Sequence, residues 1–210
     1  MATRVPAFRP ASHPELGRAP AAAPPGTPVP LAGFRSLMSA FATGVAVVTT
    51  LGADGLPYGL TCTSLASVTA SPPILSVCLT TRGETLRALR DRGTFAVNLL
   101  HERGQRAAEI FAAPVADRFA EVGWEPTPTA GLPRLTDDAF ATAECRVSRL
   151  LDVGDHTMVL GMVTEVVQMP ATPLLYGGRR FAAWPDGPIP QPDPAAEAAS
   201  LPSSFRGSPC

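Results

Sequence analysis

An antiparallel, mainly β barrel with a few short helices is the fold class this sequence predicts. Three observations carry the prediction. β-Branched apolar runs of strand length recur through the middle of the chain, glycine-containing turn signals separate several of them, and helical periodicity is confined to three short stretches. With 210 residues, 45% of them hydrophobic, the chain can bury one sizeable core but hardly two full domains.

The elements follow in order. Of 24 prolines, eight fall within 1–30 and seven within 185–210, and neither end has apolar periodicity. Residues 1–32 and 185–210 are therefore expected to be disordered tails around one folded unit, 33–184. "FRSLMSAFA" spaces Phe34, Leu37, Met38 and Phe41 as one face of a short helix, ended by Thr43-Gly44. "VAVVTT" reads as a buried strand and "GADG" at 52–55 as a hairpin turn. The returning strand runs into "GLTCTSLASVTASPP" (59–73), and "PILSVCL" is the next strand. "GETLRALRDRG" is a helix with Leu86 and Leu89 inward, "TFAVNLL" a strand, and "QRAAEIFAA" a helix with Ile110 and Phe111 inward. After a Pro/Gly-rich connection (123–133), "AFATAECRVSRLLDV" and "HTMVLGMVTEVVQM" are two long strands joined at "GDH" (154–156). "PLLYGGRRFAAW" supplies a last extended piece, with Tyr176 a core aromatic.

Composition excludes several functions. A net charge of −1 gives no basic field for nucleic acid or an anionic membrane, and all 17 basic residues are arginine. The cysteines Cys62, Cys78, Cys145 and Cys210 form no C-x-x-C pair and stand at no ligand spacing from a histidine, so no metal site is expected. Three of them lie in apolar strand-like runs, as small hydrophobes in a reducing, cytoplasmic setting. No apolar run has membrane-spanning length, and the N-terminal prolines break the helix a transit peptide would need. There is no G-x-G-x-x-G after a strand and no phosphate-loop motif.

The stretch 59–73 is unusual for a strand because it is crowded with hydroxyls. Thr61, Thr63, Ser67, Thr69 and Ser71 share one parity, and Leu60, Cys62, Ala66, Val68 and Ala70 the other, while Ser64 and Leu65 reverse the alternation. A period-2 pattern that changes phase marks a bulge or turn. Hydroxyls and exposed N–H groups at such a break suit a phosphate or the polar edge of a ring. They equally suit a solvent-facing edge strand.

Seven stretches stand in a telling order: "FATGVAVVTT", "GLTCTSLASVTASPP", "FAVNLL", "DRF", "ECRV", "GDHTMVLGMV" and "PLLY". Together they resemble the short-chain flavin reductases, the reductase components of two-component flavin monooxygenases, over about residues 33–182. The resemblance implies an FMN-binding split β-barrel, usually a homodimer. It implies an oxidoreductase that spends NADH or NADPH to reduce FMN, or FAD, for a flavin-dependent monooxygenase. Carried over residue by residue, it makes Thr61, Thr63, Ser64, Ser67 and Val68 contacts of the flavin. Thr80, Arg82 and Thr85 of "TTRGET" would complete a phosphate cradle, Arg82 through a charge-assisted bond. Asn98 and Gln105 are weaker carry-overs. The family pattern more often has serine at Thr63 and Thr69, and both differences keep a hydroxyl.

His156 in "GDH" matches the family histidine beside the nicotinamide, where it would orient the ring for hydride transfer. Asp155 is expected to shape the turn, and Asp117 with Arg118 to form a surface ion pair. Two other readings stay open: a non-catalytic flavin- or haem-binding barrel, and a same-fold oxidoreductase acting directly on an organic substrate.

Overall fold

The computed structural model describes residues 26, 28–115 and 117–189. The chain divides into two units, 1–38 and 39–210. The described part of the first is mostly helix α1 (Leu31–Ala40), which buries none of its residues. Its apolar stripe is open: Leu31, Phe34, Leu37 and Met38 are 46–68% exposed.

The second unit is built on strands β1 (Thr43–Gly44), β2 (Ala46–Leu51), β3 (Pro57–Cys62), β4 (Ala66–Ala70) and β5 (Pro73–Thr80). Helix α2 (Glu84–Arg92), β6 (Thr94–Leu100) and helix α3 (Gln105–Ala112) follow. Then come β7 (Trp124–Pro126), β8 (Pro133–Leu135), β9 (Ala139–Val153), β10 (His156–Gln168), β11 (Leu174–Gly177) and β12 (Arg180–Ala183). The main sheet has seven antiparallel strands in the order β3-β2-β6-β9-β10-β5-β4. Its two edges, β3 and β4, are consecutive in sequence and joined only by Thr63, Ser64 and Leu65. The sheet must therefore curl until its edges meet, and those three residues cross the gap. This is a split barrel, and the hydroxyl-rich stretch is its seam.

Strand β2 explains the two-sided burial. Ala46 and Val48 point into a core with Val77, Leu79, Phe95, Val97, Cys145 and Val159, which Leu86 and Leu89 of α2 close. Val45 and Val47 point the other way, into a cluster with Phe111, Phe119, Leu135 and Leu174. A strand covered on both faces loses polar alternation, so "VAVV" is continuous. Gly161 of β10 is required by this packing, because a Cβ there would overlap the Phe95 ring.

The turn 52–55 forms as expected, with Gly52 N–H donating to the Leu56 carbonyl and Gly55 at φ +76°. The β9–β10 hairpin turns on two residues, Gly154 and Asp155, with Gly154 at φ +61°. Two features were not anticipated. The Pro/Gly-rich connection contains the β7–β8 pair, and the last extended piece is a hairpin. Its central residues, Gly178 and Arg179, both have positive φ, as a tight twisted turn demands. Most of the expected tails lies outside the described residues. Within them, structure begins at Leu31 and reaches Ile189, whose N–H donates to the Ala171 carbonyl. Among the described residues no helix is long and apolar enough to cross a membrane.

Candidate functional site

The candidate site follows β5 and the seam beside it. At the seam, the Ser64 hydroxyl accepts the Cys78 N–H at 2.9 Å and lies 3.3 Å from the Cys78 carbonyl. One side chain thus takes both main-chain groups of a β5 residue, as a neighbouring strand would. The Cys62 thiol sulfur is 3.2 Å from the Ser64 hydroxyl oxygen. Burial raises the pKa of the Cys62 thiol above its ordinary value, which keeps it protonated here. Thr61 points its hydroxyl at the Ala108 carbonyl of α3, 2.6 Å away. The hydroxyls of Thr61 and Ser64 thus brace the fold. Those of Thr63 and Ser67 are exposed and have no partner among the described residues. Val68, 52% exposed, is the extra residue at a register shift between Ser67↔Leu75 and Thr69↔Ile74. The change of phase seen in the sequence therefore resolves into two irregularities, a crossing at 63–65 and a bulge at Val68.

At the far end of β5, Thr80 is directly paired with His156, the first residue of β10. The loop that follows carries Arg82, exposed and without an ion-pair partner among the described residues. Gly83 caps α2 but offers no side chain to its first N–H groups, which stay available to an anion. Thr85 is buried in that first turn, and Glu84 beside it faces Arg87 at 3.9 Å. His156 is half-exposed, and its Nδ1 lies 2.7 Å from Asp155 Oδ1. That hydrogen bond holds the Asp155 carboxyl below the usual carboxylate range. With Nδ1–H donating to Asp155, Nε2 is the ring atom left to meet a ligand. Asp155 thus both shapes the turn and orients the histidine.

An apolar cleft of about 170 Å³ opens beside the seam, walled by Thr43, Gly44, Thr63, Leu65, Leu99 and Leu174 among others. His156, Thr80 and Arg82 are not among its walls.

Asn98 requires a correction. It is wholly buried, its amide nitrogen donates to Thr49 Oγ1 and to the carbonyls of Val47 and Pro133, and its oxygen accepts from Leu135 N–H and Thr142 Oγ1. Both ends of the amide are occupied, so it ties β2, β6, β8 and β9 together and presents nothing to a ligand. Gln105 spends its amide on Glu109, 2.8 Å away on the same helix. Asp117 and Arg118 do not pair with each other. Asp117 caps a short 3₁₀ turn through the Ala120 N–H, and Arg118 donates to the Ala113 and Gly59 carbonyls. His101 is likewise structural, its Nδ1 accepting the Arg103 N–H while Nε2 faces the Asp137 carbonyl.

One network escaped the sequence. Arg90 Nη2 donates to Asp152 Oδ1 at 2.6 Å and to Thr157 Oγ1 at 3.1 Å, and Thr157 donates to the same Asp152 oxygen at 2.6 Å. No motif signals it, because its members come from α2, β9 and β10.

These residues suit a flavin nucleotide. Arg82 and the uncapped helix supply positive potential for a phosphate, β4 is an edge strand with main-chain groups to offer a ring, and Thr63, Ser67 and Val68 add hydroxyls and apolar surface. A family model described as "Flavin reductase like domain" matches residues 38–185. The chain is 54% identical over 164 residues to "Flavin reductase (NADPH)" of Lentzea aerocolonigenes, covering 78% of this chain and 96% of that one. It is 48% identical over 170 residues to "Flavin reductase (NADH)" of Kitasatospora aureofaciens, covering 80% and 87%. The crystal structure of a nitrilotriacetate monooxygenase component B homologue from Mycobacterium thermoresistibile superposes with a TM-score of 0.69 at 32% identity, covering 74% of this chain and 87% of that one.

Proposed function

The chain belongs to the flavin reductase like family, and from that premise we propose how its own residues divide the work of the reaction. It is an NAD(P)H-dependent flavin oxidoreductase that supplies reduced flavin to a partner monooxygenase. A flavin held here would supply the redox chemistry, as the acceptor of the nicotinamide's hydride. Arg82, the α2 N-terminus and Thr80 hold the phosphate end, where charge-assisted bonds are strongest. Thr63 and Ser67, with the outer main-chain groups of β4, orient the ring, and Val68 packs against it. Ser64 keeps the seam in place rather than binding directly. His156 accepts the nicotinamide carboxamide N–H at Nε2 and so aligns the ring. Its proton stays on Nδ1, facing Asp155. Asn98 takes no part.

The observation that carries this reading is the register pair His156↔Thr80, which puts the proposed nicotinamide contact beside the proposed phosphate loop. We further place two copies of the chain together through the open stripe of α1, in a reducing cytoplasm that suits the free thiols of Cys62, Cys78 and Cys145. The test is oxidation of NADH and of NADPH with and without added FMN or FAD. His156→Ala should raise the nicotinamide KM about tenfold, the cost of one hydrogen bond, and leave the flavin Kd unchanged. A protein that binds flavin yet oxidises neither nucleotide would be a binding module, and the reading would fall.

A further inference from the structure

His156 stands at the end of a hairpin, where a two-residue turn would ordinarily fray. Here the turn is held from two directions by the segment that carries Thr80, Arg82 and Thr85. At the start of that segment, Thr81 directs both its N–H (3.0 Å) and its hydroxyl (3.1 Å) at the Asp155 carbonyl. At the end of α2, Arg90 reaches the directly paired residues Asp152 and Thr157. Thr157 is wholly buried and adjoins His156 in the chain, with its side chain on the opposite face of β10. The Arg90–Asp152 ion pair is largely exposed, at 41% and 67%, so its contribution to stability is small. Its contribution to placement is not, because three polar atoms close a triangle that fixes where the first residues of β10 stand. Reaction rate is far more sensitive to placement than stability is.

We propose that Arg90, Asp152 and Thr157 are positioning residues that lock the His156 hairpin to α2, so that the nicotinamide histidine keeps a fixed distance from the flavin-phosphate loop. The proposal rests on the reading of His156 as the nicotinamide contact. None of the three residues touches a ligand; they act through the backbone of His156.

Thr157→Val removes the hydroxyl and keeps the shape, and Thr157→Ser restores it. Arg90→Met, at a partly exposed position, serves if the buried variant fails to fold. Flavin reduction by NADH and NADPH is followed anaerobically by stopped flow, with flavin Kd and Tm measured alongside. Thr157→Val and Arg90→Met should each slow reduction or raise the nicotinamide KM by about tenfold, with flavin Kd and Tm close to wild type, and Thr157→Ser should recover. Combined with His156→Ala, neither should cause a further loss, since the network acts through that ring. Wild-type nicotinamide kinetics in a folded Thr157→Val or Arg90→Met, or losses that add to those of His156→Ala, overturn the proposal alone. Wild-type kinetics in His156→Ala overturn the site reading and the proposal with it.

Discussion

Asn98 shows how far a residue's meaning depends on partners the sequence cannot display. In "TFAVNLL" it is a polar residue inside an apolar strand, and the resemblance implied a flavin contact, as one of its weaker carry-overs. Its five hydrogen-bonding neighbours lie at positions 47, 49, 133, 135 and 142, none adjacent in sequence. Asn98→Ala should cost about 3 kcal/mol, because it strands the buried Leu135 N–H and Thr142 hydroxyl, and should leave the flavin Kd of the folded protein unchanged; urea titration and fluorescence quenching read the two. Cys145 carries a second prediction. Burial, reinforced by the Glu144 charge, pushes its thiol up to about 12 from 9.0. The unfolded chain ionises first, so the thiol's contribution is complete below pH 9 and is lost as pH rises toward 12. A shift of three units corresponds to about 4 kcal/mol at most. Urea midpoints should therefore fall above pH 9, and fall less steeply in Cys145→Ala.

At the scale of elements, the long runs were legible because apolar content and turn chemistry agree. β2, β5, β6, β9 and β10 each end within a few residues of where glycine, aspartate or proline interrupts them. The β7–β8 pair was hidden by its prolines, Pro126 and Pro133, which stand opposite each other on a two-stranded ribbon with little need of ladder donors. The terminal hairpin was hidden because "YGGRRF" puts an arginine at a positive-φ position, where glycine or asparagine is the usual signal. In the candidate site, the phase change at Ser64-Leu65 was visible, but the division among hydroxyls was not. Thr61 and Ser64 differ from Thr63 and Ser67 only in what lies opposite them. Ser64→Ala should remove about 1 kcal/mol of seam closure and speed hydrogen exchange at the Cys78 amide, whereas Thr63→Ala should leave that amide protected. Equal exchange in both variants would contradict the seam.

At the scale of the whole molecule, a barrel was expected from the strand and turn pattern and its split form from the resemblance, while strand order came only from the structure. The helix at 31–40 was legible in its spacing, but its environment was not. A stripe holding Phe34 and Leu37 at 52% and 68% exposure reads as a core face in sequence and is open on the single chain. Burying such a side chain is worth about 1.5–3 kcal/mol, the free energy on which the proposed pairing of two chains would draw. Phe34→Glu with Leu37→Glu should turn a dimer into a monomer by light scattering after gel filtration. A wild-type protein that already runs as a monomer would assign the stripe elsewhere.

The crossing from Cys62 to Ala66 is also a gauge. Four Cα-to-Cα steps reach about 14 Å at full stretch, so where β3 ends and β4 begins the two sheet edges can never stand farther apart than that. Strands sit about 4.8 Å apart, which leaves space for at most about two more between the edges. At that end the girth of the barrel is thus capped by covalent reach, independently of how favourable further pairing is. Lengthening the link by inserted glycines would relax that cap without altering a single residue of the core.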